Sequence, residues 1–212
     1  GALSMLAMAP ERSRLKYANV EARTVNALFT PSSTALLGSS ATESAFKQEA
    51  AGHQLLHLAT HGYFNKLNPM LSGLELESDE ANDGLLELHE ILELNLQAEL
   101  VTLSACKTGL GSGHFAEVPA GDDFVGLTRA FLYAGSRSVL ATLWEVDDAS
   151  TLDLMTDFYR HMRQETGHKG KAEALALAPR GFLSTPTDKH PYFWAPFVRG
   201  GQSASHAGVD SS

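Results

Sequence analysis

The chain has 212 residues, enough for one domain with a sizeable core and too few for two large ones. Apolar residues make up 43% and charged residues 19%, which excludes a disordered or fibrous chain. Sixteen Lys and Arg against 25 Asp and Glu give a net charge of −9 with no basic cluster, so neither nucleic acid nor an anionic membrane is an expected direct partner. The apolar runs fall short of the roughly 18 residues that a membrane-spanning helix needs. The opening GALSMLAMAPERSR also lacks the charged-then-apolar order of a signal peptide, so a cytoplasmic location is expected. The single cysteine, Cys106, excludes an intrachain disulfide and a Cys-rich zinc site.

Short runs rich in Val, Leu and Thr alternate with segments of helical period, the pattern of an α/β domain with a mostly parallel sheet. Residues 16–29 place Val20, Ala22, Val25, Ala27 and Leu28 on roughly one side of a helix, followed by Pro31 and a short strand at 34–37. Ser40 and Glu43 have the spacing of a capping box that opens a helix over 41–51, closed by Gly52. Residues 54–60 read as a buried strand. Residues 62–84, with three Gly, three Asn and one Pro, read as a long loop holding a short strand at 74–76. A short helix is expected at 85–94 and a second central strand at 99–105. The Gly-rich stretch 109–121 then leads to a helix over 122–134 that Gly135 stops. A third central strand is expected at 137–144, followed by a helix at 149–163 with Leu152, Met155, Phe158, Tyr159 and Met162 on one side. A further helix at 169–178 and a last strand at 194–198 complete a domain over 1–200, and the small, polar residues 201–212 read as a disordered tail. No internal repeat is present.

The strand at 54–60 runs into Thr60-His61-Gly62, and the strand at 99–105 into Ala105-Cys106-Lys107-Thr108-Gly109. In doubly wound sheets ligands bind outside the carboxyl ends of the strands, which puts His61 and Cys106 at one edge despite their distance in sequence. An imidazole lowers the pKa of a neighbouring thiol and can protonate a leaving amine, so the two make a competent nucleophilic pair. The backbone amides of Gly62 and Cys106 are candidates for an oxyanion hole. The plainer alternative is a packed core thiol and a structurally satisfied histidine. His53, His57 and His61 recur every four residues, but on a strand each neighbouring pair is about 13 Å apart, so no metal site is expected. Gly109, Gly111 and Gly113 miss the dinucleotide-binding spacing and no Walker lysine follows, so no cofactor is expected. Glu145, Asp147 and Asp148 follow the third central strand. They either line an acidic pocket for a basic side chain or cap the helix that follows.

The segments LLHLATHGYFN (55–65), LVTLSACKTGLG (100–111), GLTRAFLYAGSRSVLATLWEVDD (126–148) and HPYFWAPFV (190–198), with NPMLSGLEL and DGLLELHEI between them, together resemble the CHAT domain. That family is grouped with the caspase, separase and gingipain cysteine peptidases. The resemblance implies a caspase-like fold, a mostly parallel central sheet with helices on both faces. It also implies a cysteine endopeptidase activity on protein or peptide substrates, with His61 as catalytic histidine and Cys106 as nucleophile and no cofactor. The LWEVDD stretch resembles the segment from which separases supply a carboxylate for an arginine, which makes Asp147 or Asp148 a substrate-binding candidate. CHAT domains are typically joined to tetratricopeptide-type repeats, so a regulatory module of that kind is the implied partner. A non-catalytic scaffold of the same fold is the alternative. Two departures stand out: HFAEVPAGDD replaces the usual GEG-type stretch after the cysteine loop, and Pro179 interrupts the helical pattern of 172–183.

Overall fold

The computed structural model describes residues 3–65, 67–104, 108–109, 121–142, 148–168 and 197–201. A six-stranded sheet dominates them, built from β1 (Met5–Ala9), β2 (Thr34–Leu37), β3 (Leu55–Leu58), β7 (Leu100–Leu103), β9 (Ser138–Thr142) and β10 (Phe197–Gly201) in the order β10-β9-β7-β3-β1-β2. Every pairing in it is parallel except β9 with β10. A second sheet of four short strands, β4 (Gly62–Tyr63), β5 (Gly73–Glu75), β6 (Leu85–Glu87) and β8 (Thr108–Gly109), has the order β6-β5-β4-β8. The helices are α1 (Ala18–Ala27), α2 (Glu43–Glu49), α3 (Leu88–Glu93), α4 (Gly121–Tyr133) and α5 (Asp148–His168). None of the described helices is long and apolar enough to cross a membrane.

Parallel strands are covered by helices on both faces, so their residues are apolar almost without interruption. Alternation along the strands sends Met5, Ala7, Ala9, Leu55, Ala59, Leu100 and Leu140 to one side, where Ala22 and Val25 of α1 and Met155, Phe158 and Tyr159 of α5 meet them. Leu6, Met8, Leu56, Leu58, Val101, Leu103 and Val139 go to the other side, against Phe46 of α2, Ile91 of α3 and Leu127 and Phe131 of α4. The expected α/β class, with a mostly parallel sheet and helices on both faces, is what the structure shows.

The strand of the large sheet that the sequence reading lacks is β1, which lies between β2 and β3. Its MLAMA run is rich in Ala and Met, residues of modest strand propensity, and burial on both faces decides its conformation instead. The α1 face is also displaced from the expected one. Val20 is 50% exposed, whereas Ala18, Glu21, Ala22 and Val25, spaced at three, four and seven, are buried. The cap of α2 is Thr42, whose side chain accepts a hydrogen bond from the Ala45 amide at 3.1 Å. Ser40 closes the preceding turn, accepting from the Leu37 amide at 2.9 Å and donating to the Leu37 carbonyl at 2.8 Å. The expected helix at 85–94 divides into β6 and α3, because Leu85–Glu87 pairs with β5 before the helix begins. The expected strand at 54–60 is shorter, since the chain leaves the large sheet after Leu58 to join the small one. The expected helix at 169–178 lies outside the described residues, as does the expected tail at 201–212 except for Gly201, which pairs with Ser138 as the last residue of β10 rather than opening a tail.

Residues 62–84 are more ordered than a loop. A 3-10 turn at Pro69–Leu71 leads into β5, and the connection from β5 to β6 is fastened to α2. Asp79 accepts from the Ser44 hydroxyl at 2.9 Å and from the amides of Ser44, Ala81 and Asn82 at 3.1, 2.9 and 3.1 Å. The Ala81 amide and then the Ser44 hydroxyl hold the Asp79 carboxyl well below the usual carboxylate range. Lys47 joins Glu43 at 2.6 Å, Glu90 at 2.8 Å and the Asn82 side-chain oxygen at 2.9 Å, and Glu43 accepts from the Gly84 amide at 3.0 Å. Burial pushes the Glu43 carboxyl up, more than the bond from Lys47 draws it down.

Two consequences are measurable. Gly135 ends α4 at φ +111°, and a Cβ there would lie 2.2 Å from the Leu96 carbonyl oxygen, whose residue bonds back to Ala134. Gly135→Ala should therefore lower stability by about 1–3 kcal/mol, the cost of a strained backbone site, as read from denaturant midpoints at constant slope. Asp79 has a depressed folded pKa, so its stabilising share is complete above the unfolded value near 3.9 and declines as pH falls below it. The difference in Tm between wild type and Asp79→Ala should be level from pH 7 to about pH 5 and shrink below about pH 4; a difference that stays level in stronger acid would contradict the tether.

Candidate active site

Because β3 and β7 are parallel, both chains leave the sheet at the same edge. Leu58 pairs with Leu103 at the last rung, and the Ser104 amide donates to the Leu58 carbonyl at 2.9 Å. The chains meet again in the small sheet, where Gly62 pairs with Thr108 and Tyr63 with Gly109, also in parallel. Residues 59–61 on one chain and 104–107 on the other are thus bracketed between two paired points. His61 and Cys106 belong to these two stretches. Cys106 itself lies outside the described residues, as does Asp147. Asp148 is the first residue of α5.

His61 is held mainly through its backbone. Its carbonyl accepts from the Glu75 amide at 2.9 Å, the Thr60 hydroxyl donates to the Glu75 carbonyl, and Gly62 pairs with Leu74. Gly73 lets β5 approach β6 closely, since a Cβ there would stand 2.3 Å from the Leu86 carbonyl oxygen. The His61 ring is half-buried, and its Nδ1 is buried with no hydrogen-bond partner among the described residues.

The other two members of the histidine row have separate environments. His53 Nδ1 approaches the Glu49 carbonyl at 2.9 Å at the end of α2. His57 is fully buried on the face covered by α1 and α5, beside Thr102 of β7, its partner in register. Its Nδ1 is 3.2 Å from the Tyr159 hydroxyl, which donates to Thr102 Oγ1 at 2.7 Å. Its Nε2 is 3.0 Å from Glu21 Oε1, without hydrogen-bond alignment. The Ser104 hydroxyl donates to the same Glu21 oxygen. Burial holds the Tyr159 phenol far above its ordinary pKa; the Thr102 contact works against this and the Glu21 carboxylate adds to it. Tyr159 is enclosed by Phe29 and Phe158 in edge-on contacts at 5.8 and 5.2 Å between ring centres. Among the described residues no group of three His, Cys, Asp or Glu is placed to hold a metal ion.

Sequence reasoning missed this cluster. His57 drew notice there only as one member of a regular row, and Glu21 went unremarked. A carboxylate spaced three and four residues from Ala18 and Val25 on one helix face was the available signal, once that face was correctly phased.

The CHAT domain family matches residues 4–202. Tetratricopeptide repeat protein 28 of Homo sapiens is 29% identical over 196 residues, covering 77% of this chain and 8% of that protein. The protein of the same name from Mus musculus is 36% identical over 114 residues, covering 54% of this chain and 4% of its own length. This chain thus spans a small fraction of the curated relatives it matches. With the match running through both sheets and the five described α-helices, the chain belongs to the CHAT domain family, which is related to cysteine peptidases.

Proposed function

We propose that this domain, over residues 1–200, is a cysteine endopeptidase in which Cys106 is the nucleophile and His61 the proton carrier. The observation that supports this reading best is the bracketing of their two chain segments, by Leu58 with Leu103 and by Gly62 with Thr108. A second support is His61 Nδ1, buried and uncommitted among the described residues. The Cys106 thiolate attacks the peptide carbonyl carbon and its electron pair forms the C–S bond, while charge moves to the carbonyl oxygen. The amides of Gly62 and Cys106 are proposed to receive that oxyanion. Collapse breaks the C–N bond as His61 gives a proton to the leaving nitrogen, and water then hydrolyses the thioester. Asp147 and Asp148 are proposed to receive a basic side chain on the substrate. The protein is proposed to act in the cytoplasm under the control of a tetratricopeptide-type module, a partnership that the relatives' names suggest.

Cys106 is the chain's single cysteine, so alkylation reports on it alone. In the wild type its rate against pH should show a midpoint below the value of about 8.5 for a free thiol, and His61→Ala should return it to that value. Thiolate at pH 6 falls about tenfold per unit of that rise. Cys106→Ala should abolish proteolysis and leave the fold intact; a slow thiol indifferent to His61 would mark a scaffold instead. In peptide-library cleavage, Asp147→Ala or Asp148→Ala should weaken the preference for Arg and Lys before the cut, and an unchanged preference in both would remove them from the substrate site.

A further inference from the structure

Among the polar residues buried on the face of the large sheet under α1 and α5, five form one connected set: Glu21 on α1, His57 on β3, Thr102 on β7, Ser104 just past β7 and Tyr159 on α5. A carboxylate and an imidazole that only filled space would be replaced there by Leu or Met without loss of packing, so the directional contacts call for another explanation. They converge on Glu21 Oε1, which meets His57 Nε2 from one side and accepts from Ser104 on the other. Ser104 is also fixed through its amide to Leu58, and two residues beyond it stands Cys106. The next described rung on that chain is Thr108 with Gly62.

We infer that the Glu21–Ser104 contact, with His57 and Tyr159 behind it, is a positioning device for the chain segment that bears Cys106. It rests on the proposed peptidase reading for its functional meaning, while its structural claim is independent of it. Apolar packing alone lets a strand end slide by fractions of an ångström. A hydroxyl bonded to a buried carboxylate, itself flanked by an imidazole, sets a defined position and direction. Ser104 does so on the face away from α2, α3 and α4. Catalytic groups need placement to within about 0.5 Å, which a single deleted hydrogen bond at the base of the segment is enough to disturb.

The test removes one hydroxyl, a change mild enough to preserve folding, and restores it. In Ser104→Ala, amide exchange at Thr108 and Gly109 should rise about fivefold to tenfold, the effect of one net hydrogen bond, while the β1 amides of Leu6 and Met8 stay unchanged. The midpoint of Cys106 alkylation against pH should move toward about 8.5. Ser104→Thr should return both readouts toward wild type. Glu21→Gln, which keeps an acceptor oxygen for Ser104, should leave exchange at Thr108 closer to wild type than Ser104→Ala does. Unchanged exchange at Thr108 and Gly109 in Ser104→Ala would overturn the inference, and so would a rise shared equally with β1, which marks general destabilisation. A wild-type thiol that alkylates like free cysteine and ignores His61→Ala would remove the peptidase reading alone, with the exchange data still deciding whether Ser104 positions the segment.

Discussion

Parallel pairing of β3 with β7 is the constraint from which the arrangement at the sheet edge follows. Two parallel neighbours deliver their chains to the same edge, whereas antiparallel neighbours would send them apart. Here the two chains do not separate into unrelated loops. They regain register as β4 and β8 in a second sheet, after three residues on one chain and four on the other. The two ladders thus fix where each chain leaves the large sheet and where it enters the small one. The strand order reinforces the placement. β1 leads outward to β2 and β3 leads outward to β7, so the order reverses between β1 and β3, beside the strand that runs into His61.

The two faces of the large sheet are built on different principles. The face under α2, α3 and α4 is held by apolar contact among residues such as Phe46, Leu56, Leu58, Leu103 and Phe131, each worth about 1.5–3 kcal/mol when fully buried. The face under α1 and α5 gives up part of that gain to enclose Glu21, His57 and Tyr159, and desolvating a charge costs several kcal/mol before its contacts offset it. Removing Glu21, His57 or Tyr159 strands buried partners on other elements, so the cluster makes the fold sensitive at positions far apart in sequence.

Much of this architecture was legible in the sequence because burial writes period and punctuation directly. The Val- and Leu-rich runs at β3, β7 and β9, the periodic face of α5 and the Gly135 stop all survive in the structure. What failed to show depended on partners distant in sequence. MLAMA becomes a central strand only because β2 and β3 flank it. Leu85–Glu87 pairs with β5 although its leucines suggest a helix, and Thr42 displaces Ser40 as a cap through local turn geometry that spacing does not resolve. At the site, His61 stood out through its strand-end position, while the Glu21 cluster stayed hidden because a polar residue in an amphipathic pattern reads as the solvent side.

The hold that β5 has on His61 is made of main-chain atoms: the Glu75 amide on the His61 carbonyl, the Glu75 carbonyl under Thr60, and the rung between Gly62 and Leu74. Amides are common to nearly every residue type. Glu75, half-buried, can thus change its side chain without loosening these bonds, and the backbone of His61 stays where it is. Gly73 is denied that latitude by the Leu86 carbonyl. An arrangement of this kind lets the side chains around His61 vary while the main-chain frame that carries it stays fixed.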